Sequence, residues 1–187
     1  MKEAIDKTIQ VLRAGGVILY PTDTVWGLGC DATNAEAVEK IFRIKQRAES
    51  KSLVTMVSGD GMLQRFVKQV PEMAWQLIDI TATPLTIVYD DSIGLAKNVL
   101  AEDGSVGIRM VKHDFCQQLI HKFNKPIVST SANISGEATP LDYSSIVQAI
   151  KDQVDYIVPA SYAGKPSGKP SAIIKLQVNG EIKIIRN

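Results

Sequence analysis

The stretch IIKLQVNGEIKIIR, residues 173–186, decides what kind of sheet this chain builds. IIKL and EIKIIR are short runs rich in isoleucine, and the Asn179-Gly180 pair between them is a strong hairpin signal. A hairpin makes an antiparallel pair, which argues against an all-parallel sheet. Upstream, DYIVP (155–159) follows a segment in which Asp142 is placed to cap a helix carrying Ile146, Val147 and Ile150. PIVST (126–130) reads as a strand, preceded by a helix with Phe115, Leu119, Ile120 and Phe123 on one face and Asp114 as its cap. SVGIRMV (105–111) and LTIVY (85–89) are further strands, and the apolar residues between 60 and 81 predict two helices parted at Pro71. LVTMV (53–57) follows a helix that Asn34 caps, with Val38, Ile41, Phe42 and Lys45 at helical spacing. At the start, Ile5, Ile9 and Leu12 share a helical face that stops at Gly15-Gly16, and VILY (17–20) reads as a buried strand. The pattern is α/β, a mixed sheet of about seven strands flanked by helices.

The composition bounds the rest. A chain of 187 residues, 45% hydrophobic and 22% charged, supports one sizeable core, so residues 1–187 are expected to form one domain. The formal net charge of +1 gives no bulk field toward nucleic acid or an anionic bilayer, and any anion site must be local. The N-terminus is charged through its first turns, and no apolar run reaches the length of a membrane span. Cys30 and Cys116 are the only cysteines, in a chain that needs no disulfide to hold a core, so a reducing, cytoplasmic location is expected.

Several chemistries lack their residues. Gly164–Lys169 has one residue too few between its glycines for a P-loop, with Pro170 where the hydroxyl belongs, and no G-x-G-x-x-G follows a strand. Cys30, His113, Cys116 and His121 offer no paired metal spacing, and there is no G-x-S-x-G nucleophile elbow. What remains is a set of strand-to-loop junctions rich in hydroxyls and cations. In YPTDTVWGLG (20–29), Thr22, Asp23 and Thr24 follow the strand and Gly27 and Gly29 permit close backbone approach, though a plain turn has the same composition. In IKQRAESKSLV (44–54), Lys45, Arg47 and Lys51 crowd a helix end, where cations also complement the helix dipole. Arg109 sits inside an apolar strand, where a guanidinium needs a carboxylate or phosphate; Asp23 and an external ligand are both open. STSANISG (129–136) can cradle an anion with hydroxyls and N–H groups, or simply form Asx and Ser/Thr turns. Segments 129–141 and 160–171, the second with a tandem GKPS, are long small-residue loops of the kind that carry function.

Taken in order, YPTDTVWGL, the Lys45/Arg47/Lys51/Leu53 spacing, PLT (84–86), SVGIRM, PIVSTSANISG and the late PSAIIKL resemble the YrdC/TsaC family of threonylcarbamoyl-AMP synthases, in its short single-domain form. The resemblance implies a twisted open sheet with a large concave cavity. It also implies a reaction joining L-threonine, bicarbonate and ATP into threonylcarbamoyl-AMP and pyrophosphate, an intermediate passed to a separate transferase complex that modifies tRNA. By similarity Lys45, Arg47 and Ser131 serve the reaction; Lys45, Arg47, Lys51, Ser129, Ser131, Asn133, Thr139, Ser171 and Arg186 bind ATP; and Arg109, with Thr22, grips threonine. Mg²⁺ enters bridged by the phosphates, not in a protein cage. Ala48, Trp26 and Ala172 depart from the usual proline, tyrosine or phenylalanine, and threonine of the family. The alternative is an RNA-binding module using the same concave surface, for which the near-neutral charge allows only weak RNA affinity.

Overall fold

The computed structural model describes residues 1–47 and 53–187. The first helix, α1 (Lys2–Arg13), ends as the glycines predict: Gly15 takes a left-handed φ of 72°, and the Gly16 N–H closes back on the Val11 carbonyl at 2.9 Å. Strands β1 (Ile18–Pro21) and β2 (Trp26–Gly29) follow, then α2 (Ala35–Lys45), whose cap Asn34 accepts from the N–H groups of Glu36 and Ala37. The chain continues through β3 (Val54–Val57), α3 (Asp60–Phe66), α4 (Glu72–Ile80), β4 (Leu85–Tyr89) and β5 (Val106–Met110). It closes with α5 (Asp114–Phe123), β6 (Ile127–Ser131), α6 (Gln148–Lys151), β7 (Tyr156–Ile157), β8 (Ala172–Leu176) and β9 (Ile182–Arg186).

The strands form one mixed open sheet in the order β7-β1-β2-β6-β3-β5-β4-β8-β9. Parallel pairs (β1 with β7, β3 with β5, β4 with β8) stand among antiparallel ones, which include the terminal β8–β9 hairpin. Its turn is a five-residue connection in which Gly180 alone is left-handed (φ 89°) and the Asn179 side chain accepts from the Glu181 N–H. One side of the sheet is covered by α1 and α5, which pack on each other and on β1 and β3. Leu12, Leu19, Leu28, Met56, Ile87, Phe115 and Leu119 are excluded from water. Both cysteines are buried and free, and among the described residues no helix is long and apolar enough to cross a membrane.

Three details differ from the sequence reading. Among the described residues the sheet has nine strands instead of about seven, because WGLG at β2 and the two-residue β7 also pair. Glycine-rich WGLG has little strand propensity of its own, but it lies between β1 and β6, and a Cβ on Gly29 would stand 2.7 Å from the Tyr20 ring and 2.9 Å from the Val128 carbonyl. Asp114 is the first residue of α5 and not its cap; His113 takes that position with no side-chain capping bond, and the carboxylate sits in the first turn. Asp142 does not open a helix. Its carboxylate gathers the Ser144 and Ser145 hydroxyls and the Ser145 N–H into a local turn, and α6 begins only at Gln148. These bonds from two serines also hold the Asp142 carboxyl down at about 2.

Candidate active site

Strand side chains alternate between faces, so register decides which residues share the open side of the sheet. Met56, Arg109, Thr86, Ile173 and Arg186 lie opposite one another in one row across β3, β5, β4, β8 and β9. A second row runs from Ser129 through Val54 and Gly107 to Val88, and Gly27 stands opposite Ser131. Apart from the fully buried Met56, the residues of these rows line a cavity of about 390 Å³ whose walls include Thr22, Arg47, Thr139 and Ser171. Gly27 and Gly107 keep its floor low. A Cβ on Gly27 would come within 3.2 Å of the Thr130 carbonyl, and one on Gly107 within 3.1 Å of the Thr86 methyl.

Of the residues singled out from the sequence, Thr22, Arg47, Arg109, Ser129, Ser131, Thr139, Ser171 and Arg186 line this cavity together. Lys45 and Asn133 stand behind the wall. The Lys45 ammonium is buried and donates to the carbonyls of Ser131 (2.5 Å) and Asn133 (2.7 Å) and, at 3.4 Å, to the Asn133 side-chain oxygen. Its own carbonyl accepts from the Ser135 N–H, so one residue at the end of α2 ties the whole 131–135 turn. Burial, with the charge of Arg47 added, lowers the Lys45 pKa to about 8. Asn133 accepts from the Ser131 hydroxyl and donates to the Glu137 carbonyl, which finishes the loop. Lys51 lies outside the described residues, as does Ala48.

Arg109 is 3% exposed and ion-paired with Asp23 through Nη1, while among the described residues Nη2 meets the Met56 sulfur at 3.2 Å and Nε is buried without a hydrogen-bond partner. The internal partner open in the sequence is thus present, and Arg109 is among the residues that line the cavity. Thr22 is satisfied locally: its hydroxyl donates to the Val25 carbonyl, lies 2.9 Å from that of Thr24 and accepts from the Thr24 and Val25 N–H groups. At the far wall the Ser171 hydroxyl lies 2.8 Å from that of Thr86, and the Ser171 carbonyl accepts two bonds from the Arg186 guanidinium, at 3.0 and 2.8 Å. Burial and the nearby charge of Arg109 lower the Arg186 pKa.

Three guanidiniums and a ring of hydroxyls thus face one space, and among the described residues no carboxylate lines it. Such a wall suits an anion with several oxygens. Sequence reasoning missed Thr86, Ser105, Gly107 and Ile173. A threonine in LTIVY or a glycine in SVGIRM is ordinary for a strand, and only the register aims them at the cavity. No group of three His, Cys, Asp or Glu side chains able to hold a metal occurs among the described residues.

Comparison with known proteins agrees with this architecture. The Sua5/YciO/YrdC family, described under the heading telomere recombination, matches residues 10–187. The threonylcarbamoyl-AMP synthase of Pseudoalteromonas translucida is 33% identical over 184 residues, covering 97% of both chains. The human threonylcarbamoyl-AMP synthase is 32% identical over 98% of this chain and 67% of its own. Among solved structures, E. coli YciO superposes with a TM-score of 0.85 at 26% identity, over all of this chain and 90% of that one. P. abyssi Sua5 complexed with L-threonine gives 0.84 at 28% identity, and this chain, 92% covered, spans 50% of its length. With a match that runs from α1 to the last residue and relatives a third identical over nearly the whole chain, this protein belongs to the Sua5/YciO/YrdC family.

Proposed function

We propose that the protein is an L-threonylcarbamoyladenylate synthase, a nucleotidyltransferase that makes threonylcarbamoyl-AMP and pyrophosphate from L-threonine, bicarbonate and ATP. One observation carries the reading: Arg47, Arg109 and Arg186 share a hydroxyl-lined cavity that no carboxylate enters among the described residues. The relatives named for this activity, and a solved relative complexed with L-threonine, support it.

The chemistry asks for placement and charge. The threonine amine takes up bicarbonate with loss of water. An oxygen of the resulting N-carboxylate then attacks the α-phosphorus in line, and the bond to the bridging oxygen breaks to release pyrophosphate. Positioning and stabilisation of the spreading negative charge do most of this work, and no side-chain nucleophile is needed. In this reading Arg47 and Arg186 take the phosphates, and Ser129, Ser131, Thr139 and Ser171 hold nucleotide and reacting oxygens. Arg109 grips the threonine carboxylate beside Thr22. Lys45 and Asn133 keep Ser131 in place from behind, and Lys51 adds a cation at the phosphates. No carboxylate among the described residues lines the cavity to hold a cation, so Mg²⁺ would enter with the ATP phosphates and would neutralise part of their charge. The product would pass to a threonylcarbamoyl transferase complex acting on tRNA.

Incubation with ATP, Mg²⁺, bicarbonate and labelled threonine should yield pyrophosphate and a threonine-bearing adenylate in equal amounts, with all four components required. Threonine-independent release of ADP and phosphate would overturn the assignment.

A further inference from the structure

Thr86 and Ser171 put two hydroxyls in contact, Oγ1 to Oγ at 2.8 Å, and neither hydroxyl has another hydrogen-bond partner among the described residues. Both lie on the open side of the sheet. Along β4 the cavity is lined by Thr86 and Val88, two residues apart, and not by Leu85 or Ile87, so the Thr86 side chain points to the cavity face and the Ser171 Oγ in contact with it lies there too. The pair has two O–H protons, and only one of them can lie between the oxygens. Thr86 is wholly excluded from water, whereas Ser171 is 6% exposed. Were Ser171 the donor, the Thr86 proton would be buried without an acceptor, the costly arrangement. Thr86 therefore donates, and the Ser171 proton is left for an acceptor in the cavity. The backbone around Ser171 is fixed: its carbonyl accepts both bonds from Arg186, and the next N–H, that of Ala172, donates to the Pro84 carbonyl at 3.0 Å. Thr86 is fixed as well, opposite Arg109 on one side and Ile173 on the other, with its methyl in the space that a Cβ on Gly107 would crowd. A β-branched side chain seated by its methyl presents its hydroxyl in one direction.

We infer that Thr86 is a positioning residue of this site: by donating to the Ser171 oxygen it turns the Ser171 O–H toward an oxygen of the bound substrate. This rests on the proposed function, in which Ser171 holds nucleotide or reacting oxygens. The bond that Ser171 accepts also polarises its hydroxyl and makes it the stronger donor. Without the threonine hydroxyl the serine O–H is free to turn. Valine at position 86 keeps the branched shape and the methyl beside Gly107 while cutting the relay, and serine keeps the hydroxyl.

The test is a double-mutant cycle on pyrophosphate release, with T86V, T86S, S171A and T86V/S171A measured beside the wild type at ATP and threonine concentrations below their KM values. T86V should be slower by about threefold to tenfold, the worth of one neutral hydrogen bond, and S171A by at least as much. The double variant should match S171A within about twofold, because Thr86 acts only through the Ser171 hydroxyl, and T86S should stay within about twofold of the wild type. A T86V loss that persists undiminished in the S171A background would overturn the proposal, as would T86V at the wild-type rate. T86S as slow as T86V, or a T86V that unfolds before assay, would overturn it too, since either marks the threonine as a packing residue. A wild-type protein that releases no pyrophosphate from ATP, threonine and bicarbonate would overturn the reading of the cavity itself, and this proposal with it.

Discussion

Arg109 and Lys45 are both buried cations, and their partners give them different tasks. Under the proposed function Arg109 binds the threonine carboxylate, so Arg109→Lys should impair threonine binding far more than ATP binding, because an ammonium cannot make the paired grip of a guanidinium. The expected loss is on the order of 1.5–3 kcal/mol, the scale of a hydrogen bond to a charged group, read as the change in threonine dissociation constant beside that for ATP. Lys45 spends its donors on the 131–133 turn and titrates at about 8 when folded against an ordinary 10.5. Between those pH values the unfolded chain binds the extra proton, so this residue's contribution to stability is lowest below pH 8 and rises toward 10.5. Over the same range the neutral amine keeps two N–H groups for three acceptors, and turnover should fall as the turn loosens. Melting and rate profiles of wild type and Lys45→Met, measured from pH 7 to 10.5, should differ in both slopes; identical slopes would show that Lys45 does not titrate there.

At the scale of elements, the β8–β9 hairpin makes the least expected contribution. Arg186 is the penultimate residue, in a strand exposed along its whole length, yet the register sets it opposite Ile173 and against the Ser171 carbonyl. Arg186→Ala should raise the KM for ATP with a stability change within about 0.5 kcal/mol, the usual range for a surface substitution, and removal of Asn187 alone should change neither. Unaltered ATP kinetics would make the hairpin merely structural. α2 offers the opposite case. Asn34→Ala removes the acceptor of two backbone N–H groups and should cost about 1 kcal/mol in denaturant unfolding, with substrate KM values unchanged. The contrast with Asp142 is instructive. Asn34 is followed by Ala35-Glu36-Ala37, good helix formers, whereas Asp142 precedes Ser144 and Ser145, whose hydroxyls compete for its carboxylate and hold a turn.

For the whole molecule, a net charge of +1 sets the test between a synthase and an RNA-binding module. Few phosphates can be neutralised, so any RNA affinity should be weak and should collapse between low and physiological salt in a filter-binding or fluorescence titration. Tight binding that survives salt would favour the RNA module instead. The cavity is also an assembly of distant parts: its wall draws on every strand from β2 to β9 except β7, and on loops before α6 and β8.

The sequence by itself determined the helix–strand order, the mixed sheet and most of the hydroxyls and cations of the site. Those follow from periodicity, caps, the Asn179-Gly180 turn and local motifs, all of which act over a few residues. It also raised Asp23 as a partner for Arg109 without choosing between that and a ligand. Tertiary structure made the other decisions. WGLG became a strand only because two neighbours were waiting to pair with it, and Thr86, Gly107 and Ile173 became cavity floor only through register. Lys45 went behind the wall because α2 ends against the 131–135 turn, some ninety residues further along the chain, where three oxygens meet its ammonium. Pairing partners, register and the direction of a buried charge are set by contacts between distant segments, and no local pattern encodes them.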